Sequence, residues 1–348
     1  MTTSLPKQFA SPNPSNKFIT PDKLQHLIDV GYVIIPNVLS QEECFNFFDQ
    51  MFDWLKYTNP KIDRNNPSTW NVENWPPSIR GILMEPQSFA HAQFLWNARQ
   101  HSNIIQAYQE LWCVNNPRDI VTSTDRFCIM KPVKDAPKYK PWPHLDQGPQ
   151  RPGIQCVQGF VTLEDVGENE GSLIVYERSH KYFEEFYNKI SKDTTLADYK
   201  RPQPDWYVLN LSSDKKWFLE EKGCKIHKIT CPKGSLVLWD GRTVHYNCGP
   251  NEKSDLFRVV LYICMTPRDW CDEENLKKKR QYFAEMQATT HWPHLVKPFT
   301  KKMHDHGVKY APFRKLTELP VLTEIGSRLA GFDKHEDYLN LVKAQKKN

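Results

Sequence analysis

Residues 141–149 read Pro-Trp-Pro-His-Leu-Asp-Gln-Gly-Pro and contain the tripeptide that decides the fold. In a β-strand, residues i and i+2 point to the same face, so His144 and Asp146 can offer an imidazole and a carboxylate to one metal ion. His245, in a β-type segment further along the chain, is the candidate for a second imidazole. Two histidines and one carboxylate on one face of an octahedron leave three positions open, which is typical of a mononuclear non-haem iron site.

The surroundings of this tripeptide carry more weight than the tripeptide itself. About one His-x-Asp match is expected by chance at this His and Asp content. A second match, His335-Glu336-Asp337, lies in a charged stretch near the C-terminus with no histidine after it, so we interpret it as solvated surface. The first match lies between Pro- and Gly-containing turns and precedes a strand-turn-strand unit at 155–176. Only the first match is therefore predicted to bind metal.

Composition excludes several classes of protein. The 348 residues are 39% hydrophobic and 12% aromatic, enough to bury one large core. The net charge of +5 is spread along the chain except for a short basic run at 277–280, so no nucleic-acid partner is predicted. No apolar run reaches the length of a membrane span, and residues 1–21 lack the apolar core of a signal peptide. We expect a cytoplasmic protein, with import into an organelle left open, that is a monomer or a weak homodimer.

Nine cysteines are widely spaced and form no Cys-x-x-Cys pair. An odd number without such pairs argues against both a disulfide framework and a zinc cluster. We expect reduced thiols.

Helix-capping and turn residues predict the helices and strands in the first third of the chain. Residues 1–19 are rich in Ser, Pro and Asn and are predicted to be a flexible lead. Thr20 and Pro21 predict the start of a helix that ends at Gly31, and Ser40 with Glu43 forms a capping box that opens a second helix. Further segments are predicted as a strand at 32–36, a helix at 98–112 and a strand at 120–130.

Beyond residue 155 the pattern becomes a series of short β-type runs separated by Gly and Pro turns. They are 155–163, 172–176, 224–230, 235–239 and 256–265. Such a series predicts a mainly β fold with flanking helices, of the sandwich or jelly-roll kind. A helix at 180–190 and an aromatic, Pro-containing insertion at 191–221 interrupt it, and we interpret the insertion as a lid over the substrate. The domain is predicted to span 20–290, with 291–348 as a C-terminal extension packed on it.

The chain resembles the phytanoyl-CoA dioxygenase family of Fe(II)/2-oxoglutarate-dependent oxygenases. The resemblance covers roughly residues 20–266 and rests on four stretches of sequence. They are Gly-Tyr-Val-Ile-Ile-Pro-Asn-Val-Leu-Ser at 31–40, His-Leu-Asp at 144–146, the run from Val161 to His180, and Gly-Ser-Leu-Val-Leu-Trp at 234–239 ahead of His245. The resemblance implies a double-stranded β-helix, a cupin-like jelly roll.

The resemblance also implies the roles of individual residues. It places the catalytic iron on His144, Asp146 and His245, and the far carboxylate of 2-oxoglutarate on Arg258. The planar fork of arginine matches a carboxylate with two parallel hydrogen bonds, which supports the last role. Asn247 stands where family members often have a small hydroxyl residue that donates to the co-substrate. Phe160 stands where they have an aromatic ring against it, although plain core packing is an equal alternative.

Four further residues flank the expected mouth of the site and are candidates for contact with an anionic substrate: Arg126, Lys131, Trp142 and Arg151. Solvated surface charge is the alternative for the three basic residues, and core packing is the alternative for Trp142. His180 is predicted to have a structural hydrogen-bonding role. The pairs His291/His294 and His304/His306 lack Cys or carboxylate partners at fixed spacing, so no second metal site is predicted.

The implied reaction is the oxidation of an unactivated C–H bond of a small molecule, with release of succinate and CO2. Its cofactors are Fe(II) and 2-oxoglutarate, with O2 as oxidant and ascorbate as a supporting reductant. Hydroxylation is the default outcome, and desaturation or oxidative cyclisation of an amino-acid-derived or other specialised metabolite are variants. Two alternatives stay open: a binding or regulatory module without turnover, and a hydroxylase of a protein side chain.

Overall fold

The computed structural model describes residues 9, 13–132, 140–192, 205–209, 211–299 and 313–346. The larger of its two main sheets has the strand order β1-β11-β7-β13-β5-β3-β2, and all its described pairings are antiparallel. Its strands are β1 Tyr32–Ile35, β2 Ser78–Ile79, β3 Leu83–Met84, β5 Phe127–Met130, β7 Val157–Thr162, β11 Leu236–Asp240 and β13 Arg258–Tyr262.

The smaller sheet has the order β10-β8-β12-β6-β9 and is also antiparallel. Its strands are β6 His144–Leu145, β8 Ser172–Glu177, β9 Tyr207–Val208, β10 Lys225–Lys228 and β12 His245–Cys248. Successive strands alternate between the two sheets from β5 to β8 and again from β10 to β13, and this alternation is the topology of a double-stranded β-helix. The predicted fold class is confirmed. A separate two-stranded sheet joins β4 Ile120–Thr122 to β14 Met265–Pro267.

Strand alternation divides the core of the molecule in two. Cys128 and Met130 of β5 lie in a cluster with Phe160 of β7 and Leu173 of β8, so these side chains fill the space between the sheets. Their neighbours on the same strands, such as Ile129, instead lie in the large cluster shared with the N-terminal helices. This second cluster packs the helical layer onto the back of the larger sheet. The candidate metal ligands lie between the two sheets, next to this first cluster.

Helices pack against the larger sheet, against the smaller sheet and, near the C-terminus, against one another. They are α1 Pro21–Val30, α2 Gln41–Thr58, α3 Gln93–Arg99, α4 Ser102–Trp112, α5 Phe183–Lys192, α6 Ser212–Lys216, α7 Glu273–Ala284, α8 Glu324–Leu329 and α9 His335–Gln345.

The predicted caps of α1 and α2 are confirmed. The side chain of Thr20 accepts a hydrogen bond from the Lys23 amide, and Gly31 ends α1 with a φ of 98° that glycine adopts without strain. Both hydrogen bonds of the Ser40–Glu43 capping box are present.

Two predicted elements are wrong in extent. The helix predicted at 98–112 is two helices, because Gln100 ends α3 and α4 begins at Ser102. The strand predicted at 120–130 is also two: β4 belongs to the small sheet and β5 to the large one. The described part of the predicted lid is structured, with β9 extending the smaller sheet and α6 continuing into a π-helical turn at Trp217–Glu221. Residues 193–204 and 210 of the lid lie outside the described residues.

Candidate active site

The three predicted metal ligands come together between the sheets. Antiparallel pairing of β12 with β6 sets His245 directly opposite His144, and Asp146 follows β6. Their candidate ligand atoms all lie within 4.8 Å of one another. Asp146 Oδ1 is 3.6 Å from His144 Nε2, and Asp146 Oδ2 is 3.3 Å from His245 Nε2. The carboxylate therefore faces both imidazoles, as one metal ion requires.

Backbone carbonyls fix the orientation of both rings. Nδ1 of His144 is 3.0 Å from the carbonyl oxygen of Trp142, and Nδ1 of His245 is 2.9 Å from that of Thr243. A histidine whose Nδ1–H donates to a carbonyl presents its Nε2 lone pair to the metal, which is the usual outer support of a metal ligand. The indole of Trp142 also stacks on the His144 ring, with centroids 4.0 Å apart and planes 5° from parallel. Both Nε2 atoms are thus set in place before metal binds.

The protonation states also suit a metal centre. Burial, together with the nearby His245, lowers the pKa of His144 and favours the neutral ring that a metal needs. Burial alone would raise the pKa of Asp146, but the surrounding histidines, foremost His144 and then His291, hold it well below its usual value. Asp146 is therefore an anion at neutral pH.

Gln158 supports the carboxylate ligand from the larger sheet. Its Nε2 donates to Asp146 Oδ2 at 3.0 Å, and its side chain is buried. Gln158 lies on β7 two residues before Phe160, so both side chains face the space between the sheets. Sequence analysis missed this residue, although the strand alternation that placed Phe160 inside also places Gln158 inside.

Arg258 is a buried cation at the start of β13, with only 2% of its surface exposed. Nη2 donates to Asn247 Oδ1 at 2.8 Å and Nη1 to Cys128 Sγ at 3.3 Å, whereas Nε has no hydrogen-bond partner among the described residues. No carboxylate of the described chain forms an ion pair with this guanidinium. A buried arginine without an anionic partner fits the far carboxylate of 2-oxoglutarate.

Aromatic rings connect Arg258 to the metal ligands. The Phe160 ring centroid is 5.7 Å from Arg258 Cζ and 5.9 Å from the Trp239 ring, which in turn is 5.4 Å from the His245 ring. The donor set and the buried arginine thus fit iron and 2-oxoglutarate. Oδ1 of Asn247 accepts a hydrogen bond from Arg258, and the donation of its amide to the co-substrate stays a prediction.

Comparison with known proteins agrees with this geometry. The sequence profile of the phytanoyl-CoA dioxygenase (PhyH) family matches residues 28–258. This chain belongs to the phytanoyl-CoA dioxygenase family. It is a 2-oxoglutarate-dependent non-haem iron dioxygenase, and the predicted family and enzyme class are confirmed.

One curated relative and two solved structures are similar to this chain over most of its length. "Ava biosynthesis cluster protein O" of Aspergillus versicolor is 33% identical over 264 residues, which are 76% of this chain and 83% of that protein. Among solved structures, GlcNAc Inducible Gene 2 of Candida albicans has a TM-score of 0.56 at 14% identity, covering 96% of this chain and 82% of that one. EctD of S. alaskensis, solved with bound Fe, has a TM-score of 0.48 at 12% identity over 76% of this chain and 82% of that one.

The four residues predicted to meet the substrate have different environments. Trp142 packs on His144, and the guanidinium of Arg80 lies 4.6 Å from its ring. Lys131 donates to the carbonyl of Trp70, and burial lowers its pKa to about 8.

The other two candidates are arginines, and they differ in whether a carboxylate pairs with the guanidinium. Arg151 forms an ion pair with Asp205, which also pairs with Lys297. Arg126 is 1% exposed, and none of its three guanidinium nitrogens has a hydrogen-bond partner in the part of the chain that the structure describes. Of the four, only Arg126 is a buried cation without a hydrogen-bond partner.

A hairpin at 288–299 packs against the site, and it lies C-terminal to the residues that match the family profile. Thr289 bridges Pro298, and the Phe299 amide donates to the Ala288 carbonyl at 2.9 Å. The hairpin carries His291, whose Nδ1 is 3.9 Å from Asp146 Oδ2 and whose buried Nε2 has no described partner. Sequence analysis missed this role, and the domain boundary expected at 290 falls inside the hairpin.

The remaining histidines lie away from the metal ligands or outside the described chain. His180 Nε2 is 2.9 Å from the carbonyl oxygen of Ile28, which confirms its structural role. His335, which is half-buried, and Asp337, which is exposed, lie on the first turn of α9, so the second His-x-Asp match is part of a helix. His304 and His306 lie outside the described residues. None of the helices in the described ranges has the length and apolar character needed to cross a membrane.

Proposed function

We propose that this dioxygenase oxidises an unactivated C–H bond of a small organic molecule, with hydroxylation as the default outcome. The observation that carries the proposal is the close approach of two imidazoles and one anionic carboxylate in the same interior as a buried arginine without an ion-pair partner among the described residues. The relative from Aspergillus versicolor is named for a biosynthesis cluster, which supports a small-molecule substrate here. Desaturation and oxidative cyclisation are variants of the same chemistry that depend on how the substrate lies.

Each residue of the site has a defined task in this scheme. His144, Asp146 and His245 would hold iron through two imidazole nitrogens and one carboxylate oxygen, a donor set suited to a metal that also binds a co-substrate and dioxygen. The chemistry supplied at this site with iron bound would be activation of O2 coupled to the decarboxylation of 2-oxoglutarate to succinate, with ascorbate as a supporting reductant. Arg258 orients the co-substrate by its far carboxylate, with Asn247 fixing the guanidinium plane.

Exclusion of water is the protein's other task. The interior next to the ligands is lined by aromatic and aliphatic side chains, including Phe160 and Trp239, and both are almost fully buried. A dry pocket strengthens the electrostatic hold on the co-substrate and keeps reactive species from water. The substrate must therefore enter an enclosed space, which favours a small molecule over a protein side chain.

The test is a substrate screen read by co-substrate turnover. Purified protein with Fe(II), 2-oxoglutarate, ascorbate and air is offered pools of specialised metabolites, amino-acid derivatives and short peptides, and succinate is measured. We expect a small molecule to stimulate succinate formation and to gain one oxygen atom, or lose two hydrogens, by mass spectrometry. Stimulation by peptides alone, or succinate formation without any change in an added compound, would contradict the proposal.

A further inference from the structure

Arg126 is a buried cation without a hydrogen-bonding anion. It lies immediately before β5, and all three of its guanidinium nitrogens lack hydrogen-bond partners among the described residues. Its Cζ lies 4.1 Å from the centroid of the Phe299 ring, so one face of the guanidinium is covered by an aromatic side chain. Burying such a charge unpaired costs several kcal/mol, so proteins rarely keep one without a function.

Strand register places Arg126 on the interior side. Cys128 and Met130 of β5 face the space between the sheets, and Arg126 continues the same alternation. Its backbone carbonyl accepts a hydrogen bond from the amide of Tyr262, whose ring packs edge-on against Phe160. Arg126 therefore lies on the same face of the sheet as Arg258 and Phe160, at the opposite end of the β5–β13 pair from Arg258.

Two carboxyl groups act on Arg126 at longer range. Burial lowers the pKa of Arg126 to about 10, and Asp125 and Glu85 oppose that shift without removing it. Burial raises the pKa of Asp125, and the Oδ1 of Asp125 accepts a hydrogen bond from the Arg126 amide rather than from its side chain. The three guanidinium nitrogens of Arg126 are therefore available to hydrogen-bond an anion other than Asp125 and Glu85.

The 288–299 hairpin links Arg126 to the iron ligands. Its strand at Thr289 is held to Thr124 by two hydrogen bonds, Thr289 N to Thr124 O at 2.9 Å and Thr124 N to Thr289 Oγ1 at 3.0 Å. At one end of the hairpin the Phe299 ring packs against the Arg126 guanidinium. In its turn, His291 Nδ1 lies 3.9 Å from Asp146 Oδ2. A molecule bound to Arg126 thus lies under a short segment that also reaches the metal centre.

We propose that Arg126 binds a carboxylate of the organic substrate, so that the enzyme acts on a carboxylic acid. The inference rests on the proposed function and names its substrate class. The planar guanidinium offers two parallel N–H donors to a carboxylate, and the Phe299 ring packs against the apolar part next to it. Both the cation and the ring lie outside the set of iron and 2-oxoglutarate ligands, and Phe299 also lies beyond the family match.

The test uses benzoate and benzamide as probes, because they share one shape and differ in charge. Protein loaded with Mn(II) and 2-oxoglutarate is unfolded thermally with each probe. We expect benzoate to raise the melting temperature of the wild type by a few degrees, and benzamide to leave it unchanged. Arg126→Met should lose the benzoate effect, and Arg126→Lys should reduce it. Arg118→Met, which removes an exposed arginine, should keep it.

A calorimetric titration of 2-oxoglutarate separates the two carboxylates that Arg126 can hold. We expect the affinity of Arg126→Met or Arg126→Lys for 2-oxoglutarate to stay within about twofold of the wild type. A loss of tenfold or more would overturn the proposal in favour of a co-substrate anchor. Equal effects of benzoate and benzamide, or a benzoate effect retained in the variants, would also overturn it. If the wild type bound no 2-oxoglutarate at all, the proposed function itself would fail.

Discussion

Gln158 connects the larger sheet to the metal centre by one hydrogen bond to Asp146. A partner of this kind fixes which carboxylate oxygen is free for metal, and its loss typically costs 10–100-fold in metal affinity. We expect Gln158→Leu to bind Mn(II) about tenfold or more weakly in calorimetry, with the fold intact because leucine fills a similar volume.

The control for this variant is Gln155→Leu, which replaces a glutamine near the start of the same strand that donates only to the Pro152 carbonyl. Its Mn(II) affinity should equal that of the wild type. Equal affinities of the Gln158 and Gln155 variants would show that Asp146 does not need its hydrogen bond.

Asn247 determines the orientation of Arg258 by accepting a hydrogen bond from Nη2. Without that acceptor the guanidinium gains rotational freedom and binds a carboxylate less well. We expect Asn247→Ala to weaken 2-oxoglutarate binding by roughly tenfold while Mn(II) affinity is unchanged. Asn251→Ala, which removes an exposed contact with Asn169, is the matched control. An unchanged co-substrate affinity in Asn247→Ala would exclude this supporting role.

Single residues divide into those that strand periodicity reveals and those it does not. The i, i+2 rule is sufficient to place His144 with Asp146, and applied backwards from Phe160 it would also have found Gln158. His291 gives no such signal. Its position depends on the 288–299 hairpin folding back on Thr124, which is a contact between residues distant in the sequence.

At the scale of elements, helix α4 packs closely on strand β7 because Gly159 has no side chain. Tyr108 of α4 donates to the Ile263 carbonyl across this position. A Cβ at Gly159 would meet the hydroxyl of Tyr108 and lie 2.7 Å from Leu238 Cδ2 and 3.0 Å from the Ile263 carbonyl oxygen. We expect Gly159→Ala to lower the free energy of unfolding by roughly 2–3 kcal/mol in urea denaturation, because backbone must move.

Gly223→Ala is the comparison for this change. No atom lies within 4 Å of a Cβ there, and only its φ of +66° opposes a side chain. Its cost should be about 1 kcal/mol. A Gly159 variant as stable as the Gly223 variant would contradict close packing of α4 on β7.

Local chemistry predicted the elements wherever the deciding residues are neighbours in sequence. Thr20, Gly31 and the Ser40–Glu43 box each act within one helical turn, and α1 begins and ends, and α2 begins, where they predict. The break at Gln100 and the division of 120–130 depend on tertiary pairing. Thr122 pairs with Met265, whereas Phe127 pairs with Leu261 in another sheet. No local pattern distinguishes those two pairings.

At the scale of the whole molecule, the buried ammonium of Lys279 joins α7 to two backbone segments outside this helix. Nζ donates to the Thr122 carbonyl and, at 3.2 Å, to the Pro293 carbonyl. Burial lowers its pKa to about 8, below the ordinary lysine value of 10.5 that it has in the unfolded chain. Between these values the unfolded chain binds more protons, so this lysine destabilises the fold fully below about pH 8 and less as pH rises.

We therefore expect the pH dependence of stability to differ between the wild type and Lys279→Met. From about pH 7 to about pH 9, the free energy of unfolding of the wild type should rise by roughly 1 kcal/mol relative to the variant. Lys278→Met, which removes an exposed lysine of the same helix, is the control. Parallel pH profiles of wild type and Lys279→Met would contradict a depressed pKa.

We propose that His144, Asp146 and His245 hold the iron with which this enzyme converts 2-oxoglutarate to succinate. The most direct measurement is succinate formed from 2-oxoglutarate by the purified protein with Fe(II) and ascorbate under air, for the wild type, His144→Ala and Asp146→Ala. We expect the wild type to form succinate only when Fe(II) is present, and we expect neither variant to form it. A wild type that forms no succinate and shows no Fe(II)-dependent 2-oxoglutarate binding, or variants as active as the wild type, would contradict the proposal.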